Sequence, residues 1–200
     1  MVQHIVEQGT AKLAVPLGSA GRSHALARMS GLRSSPGWHV SGDAVREWHF
    51  EGFSAQPDGA CLFGPDVGGV TLEEALALPL VEAAPLLARL ADALGTLADR
   101  SVPFFPLQAD AVILDEHSGV LFLPPAVMRE ARGVRTFAEN RETFETLNHP
   151  DLHAEALASF TLGVCLYRAA VGRFPFTGDD EEEIHEQARK LALQPPARLV

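Results

Sequence analysis

Over the first third of the chain apolar residues fall into short runs, and after residue 70 they fall at helical spacing. Gln3 to Glu7, Ala11 to Leu17, Arg22 to Met29, Arg46 to Phe53 and Ala60 to Gly64 are apolar-rich segments of strand length. The turn residues between them, Gly9, Gly18-Ser19-Ala20-Gly21 and Gln56-Pro57-Asp58-Gly59, predict an antiparallel meander. Ser30 to Gly42, with Ser34-Ser35-Pro36-Gly37 in its middle, shows no helical period and reads as irregular. Gly68-Gly69 then marks a change of character. Thr71-Leu72-Glu73-Glu74 fits a capping box that opens a short helix to Leu78. Ala83, Leu87, Leu90, Leu94 and Leu97 recur at spacings of four, three, four and three, which predicts an amphipathic helix from Val81 to Asp99.

Ser101 to Pro106 is a proline-interrupted loop, and Ala111 to Leu114 and Val120 to Leu123 read as two short strands joined by the turn Asp115 to Gly119. Arg129 to Asn148 is polar and reads as mixed loop and helix. From Ala156 to Val171 only Ser159, Thr161 and Arg168 are clearly hydrophilic, so Glu155 to Val171 predicts a helix buried on all sides, stopped by Gly172. Its sixteen residues from Ala156 fall short of the ~20 that cross a bilayer, and Arg168 with an acidic flank points the same way. A last helix begins near Asp179 or Asp180, whose acidic first turn complements the helix dipole.

Composition narrows the classes. Two hundred residues at 46% apolar content suit one domain or two small lobes, divided here into a sheet lobe (1–66) and a helical lobe (67–200). A net charge of −10 without a basic run argues against nucleic acid, whose affinity depends on clustered Lys and Arg. Cys61 and Cys165 lie inside apolar runs and read as free thiols of a reducing compartment. Met1 to Pro16 lacks the pattern of a secretion signal. The expectation is a cytoplasmic protein with no membrane and no nucleic-acid partner.

The order of elements, together with LFGPDVGGVTLEEAL at 62–76, DAVILDEHSGVLFL at 110–123 and FTLGVCLYRAAVGRFPF at 160–176, resembles the protein kinase fold. The resemblance implies an α+β, two-lobe architecture shortened at the C-terminus, with a small antiparallel sheet hinged to a mainly helical lobe. It also locates the expected chemistry. Phe104, Phe105 and Pro106 stand where kinases carry His-Arg-Asp, and Ala111 stands at the magnesium-binding Asn. Pro124, Pro125 and Ala126 take the place of Asp-Phe-Gly. HALAR at 24–28 resembles the strand with the phosphate-binding Lys, with Ala27 at that position, and the glycine-rich loop would lie near Gln8-Gly9-Thr10-Ala11. Ala158 stands where the central helix carries a buried Asp. None of these side chains accepts a proton or binds a metal, so the chain resembles a degenerate, bacterial-type pseudokinase.

The implied function is an inactive kinase-like domain acting as a protein-interaction or regulatory module, without cofactor or metal, serving protein partners or further domains of a longer chain. The alternative is a divergent phosphotransferase built on Asp110 or Asp115 with Arg28, although the turn positions of those two aspartates read as solvated. His149 and His153 have the spacing of a helical zinc pair, but Pro150 breaks the helical geometry and no third ligand is indicated. His149-Pro150-Asp151 also matches the J-domain tripeptide and reads instead as a corner before the central helix. Ser159 and Thr161 lack a nucleophile elbow and are expected to bond carbonyls of the preceding turn. Trp38, Trp48, Phe104 and Phe105 are expected as core or lobe-interface aromatics.

Overall fold

The computed structural model describes residues 2–7, 10–17, 29–56, 59–133 and 135–191. Four strands, β1 (Gln3–Glu7), β2 (Thr10–Leu17), β5 (Gly52–Gln56) and β6 (Gly59–Pro65), form an antiparallel sheet in the order β1-β2-β6-β5. Alternation along β2 sends Leu13, Val15 and Leu17 to one face, where they are buried. Residues 22–28 of the predicted strand Arg22 to Met29 lie outside the described residues, and Met29 opens a helical turn at 29–33 instead.

The irregular reading of Ser30 to Gly42 is corrected by that turn and by strand β3 (Gly37–Ser41), which pairs with β4 (Ala44–Trp48) in register Ser41↔Ala44. The two-residue loop Gly42-Asp43 makes this hairpin possible because Gly42 takes φ +55°, a left-handed value that costs glycine little. The single strand expected over Arg46 to Phe53 is two: Trp48 ends β4, and the chain crosses to the other sheet before β5 starts at Gly52.

The second sheet has the order β4-β3-β9-β8-β7, with β7 (Val70–Thr71), β8 (Val112–Leu114) and β9 (Val120–Phe122). Hence β3, from the first sixty-six residues, pairs with β9 from the second part, and β4 joins the same sheet through β3. The helices are α1 (Leu72–Leu76), α2 (Leu80–Asp99), α3 (Pro125–Gly133), α4 (Phe137–Asn140), α5 (Ala154–Val171) and α6 (Glu181–Lys190). Thr71 and Glu74 complete the expected capping box of α1. Pro125 begins α3, the first-turn position where proline forfeits no helical hydrogen bond.

Two apolar cores result. One packs α1, α2, α5 and α6 around Leu87, Leu90, Phe122 and Phe176; the other lies between the first sheet and the β8–β9 hairpin. The first core covers α5 on one side only, which corrects the expectation of a helix buried all round. Leu157, Thr161, Val164, Cys165 and Ala169 are buried, whereas Ala156, Ser159, Gly163, Leu166 and Ala170 form an exposed stripe. Ala154–Val171 is long and apolar enough by length and composition to cross a membrane, with mean hydropathy 1.3, and 28% of it is buried.

Candidate functional site

The loop after α2 and the β8–β9 hairpin bring four of the residues expected at kinase-like positions to one place. Phe105, Pro106, Ala111 and Pro125 line a common cavity, together with Gln108, and α3 closes it with Met128, Arg129 and Arg132. Its volume is about 100 Å³, against the ~300–1,000 Å³ of sites that hold cofactors and drug-sized ligands. Phe104 and Phe105 are half-buried, and Phe105 stacks on Trp38 of β3 at 5.3 Å. Pro124 is buried, Ala126 and Ala158 are half-buried, and Ala27 and Arg28 lie outside the described residues, as do Gln8 and Gly9.

Beside this cavity, among the described residues, the first sheet and the β8–β9 hairpin share one apolar core. Ala111, Ile113, Leu121 and Leu123 of the hairpin pack against Leu13, Val15, Leu17 and Leu62 of the first sheet, with Val127, Met128 and Ala131 of α3 filling the same core. Ile113, Leu121, Leu13 and Leu62 are fully excluded from solvent. Trp48 and Phe50 join this core in an edge-to-face pair at 4.8 Å, as expected for interface aromatics.

Asp110 and Asp115 are buried rather than solvated, 1% and 3% exposed. Turn chemistry explains Asp115 only in part: its Oδ1 accepts the amides of His117 and Gly119 at 2.7 Å, as an Asx turn does. Tertiary packing supplies the remainder. β3 brings His39 Nε2 to 2.6 Å from Oδ2, and α2 sends Arg89 Nη2 to the carbonyls of Asp115 and Gly119 at 2.5 and 2.7 Å. Burial by itself would raise the Asp115 pKa, but the hydrogen bonds from His39, Gly119 and His117 outweigh it and hold the carboxyl below its ordinary value. Asp110 sits in the 3₁₀ turn Ala109–Ala111 and accepts from Arg135 Nη2 at 2.7 Å. Both carboxylates are committed to structural bonds.

His149-Pro150-Asp151 forms the expected corner, fastened to α6 by Arg189 Nε donating to Asp151 at 2.7 Å. His149 and His153 do line one cavity, of about 310 Å³, with Glu145, Glu181 and His185. Thr161 departs from expectation: its hydroxyl donates to Leu147 O at 2.9 Å, clasping the segment before the corner rather than its own helix. Ser159 is exposed. Cys61 and Cys165 are free thiols, and burial pushes Cys165 up to about 12.

Two features escape the sequence reading. Leu13-Ala14-Val15 on β2 has the apolar-Ala-apolar order of the kinase Val-Ala-Ile-Lys motif, followed by Pro16. That four-residue signal was available in the sequence. The Glu145, Glu181 and His185 group had none, since its members join only through tertiary structure.

No family model matches the chain, and no curated protein matches it. Solved structures do. The crystal structure of Rad53 1–466 in complex with AMP-PNP matches with a TM-score of 0.59 at 12% identity, covering 98% of this chain and 52% of that one. The chain thus spans about half the length of that match. At this identity the likeness concerns the fold alone: the chain has an α+β, protein kinase-like fold of a small antiparallel sheet lobe and a helical lobe.

Proposed function

We propose that this domain is a catalytically inactive kinase-like module that works by binding protein rather than by transferring phosphate. The observation that carries the reading is the apolar core that the first sheet shares with the β8–β9 hairpin. Rad53 1–466 holds AMP-PNP, whereas the corresponding chemistry here would converge on about 100 Å³ walled by Phe105, Pro106, Ala111 and Pro125. Phosphoryl transfer rests on a positioned metal, a cation and a residue that orients the nucleophile. Proline, phenylalanine and alanine offer none of these. Asp110 and Asp115, the acids on which a divergent enzyme would depend, are held by Arg135 and by His39.

The exposed stripe of α5 supports the binding half of the reading. Ala156, Ser159, Gly163 and Ala170 are small, so a partner helix approaching Leu166 meets no bulky side chain on this face. A cytosolic setting fits the two free thiols. Incubation with γ-labelled ATP and magnesium or manganese tests the catalytic half. The expected result is no label on the protein or on a generic acceptor above a heat-denatured control. Label that disappears in Asp110→Ala or Asp115→Ala would establish the divergent transferase instead.

A further inference from the structure

One group of metal-binding side chains among the described residues borders a cavity that Phe104 and Pro106 also line, on the side facing α6. Glu145 ends the π-helical turn Arg141–Glu145, and Glu181 and His185 stand one turn apart on α6. His185 Nε2 is 3.6 Å from Glu145 Oε2, and His185 Nδ1 is 3.7 Å from Glu181 Oε1. One ligand atom from each of the three residues falls within 4.8 Å of the others. We propose that Glu145, Glu181 and His185 bind a divalent transition-metal ion of the zinc class.

The donor set suits such an ion. One imidazole and two carboxylates are borderline-to-hard ligands of the kind zinc and cobalt accept, and three protein ligands leave a position for water. Bonds of about 2.0–2.2 Å place tetrahedral ligands about 3.3–3.6 Å apart, so closure from the observed separations asks for small side-chain shifts. Glu181 is on the exposed first turn of α6 and is free to make them.

A second observation points to a ligand independently of the spacing. Glu145 is 8% exposed, and among the described residues no hydrogen-bond donor reaches its carboxylate; it faces His185 across 3.6 Å. A carboxylate so placed is better satisfied by a cation than by its apolar surroundings.

The site also has access. The cavity of about 310 Å³ beside the group is lined by His149, His153 and Arg132, leaving space for solvent or an exogenous ligand on the ion. The histidine pair conspicuous in the sequence thus stands next to the site without forming it. The inference is independent of whether the inter-sheet core excludes nucleotide.

Cobalt(II) titrated into the full chain near neutral pH, read by its visible d–d absorption and by calorimetry, tests the proposal. One equivalent is expected to bind and to be displaced by zinc. Glu145→Gln and Glu181→Gln should each weaken binding by at least about tenfold, the lower end of what even a supporting residue costs. Glu181 is exposed, so its variant folds irrespective of the outcome at Glu145, and circular dichroism checks both. Absence of saturable binding, or an affinity unchanged in both variants, overturns the proposal.

Discussion

A carboxylate's surroundings, more than its place in the chain, decide what it does here. Asp115 occupies a turn position that predicts solvation, and its Oδ1 makes the expected turn bonds. It is nevertheless buried, because His39 arrives from β3, seventy-six residues away. The turn was legible; the residue that covers it was not, since no local pattern encodes a tertiary neighbour. Glu145 gives the opposite electrostatic outcome, with burial and no donor. Its folded pKa of about 7 lies above the ordinary 4.5, so between those values the folded chain holds a proton that the unfolded chain has released. Stability from this group is therefore lost as pH rises through that window. Glu145→Gln should gain on the parent between about pH 5 and about pH 8, by up to about 3 kcal/mol at roughly 1.4 kcal/mol per unit. Urea denaturation with a chelator present measures the difference. His185, lowered chiefly by burial, contributes with the opposite sign at the acid end, and because it faces Glu145 at 3.6 Å the comparison is repeated in a His185→Gln background. A flat difference across the range would mean that the Glu145 carboxyl is not perturbed.

At the scale of elements, helical spacing located α2, the capping box located α1, and the acidic first turn located the start of α6, each to within a residue or two, as turn signals did the β8–β9 hairpin. Sequence pattern failed where the signal was short. The hairpin of β3 and β4 rests on the two-residue Gly42-Asp43 loop, lost beside the stronger break at Pro36-Gly37. It also failed for α5 in an instructive way. Hydropathy reports how apolar a side chain is, whereas burial depends on what lies over it, and α2 lies over one face. The two faces should therefore respond differently. Leu157→Ala removes a side chain that is 4% exposed and should cost about 2–5 kcal/mol. Leu166→Ser, at a position 50% exposed, should stay within about 0.5 kcal/mol. Chemical denaturation of the isolated protein separates them; equal, large losses would show that α5 is enclosed after all.

For the whole molecule, the two-lobe α+β plan was legible because the order of elements survives where identity does not. The apolar and proline character of Phe104, Phe105, Pro106, Pro124 and Pro125 is legible in the sequence itself. Their consequence is not, because the union of Leu13, Val15 and Leu62 with Ile113 and Leu121 joins strands far apart in sequence. That union carries the central claim, the absence of a nucleotide site. Thermal unfolding with ATP and magnesium tests it most directly. A ligand at a hundred times its Kd stabilises by about 2.7 kcal/mol, which for a chain of this size raises Tm by roughly 5–11 °C. A Tm that stays constant across millimolar ATP, with or without the metal, is the result expected of a closed core. A reproducible, saturable rise of that size would contradict it.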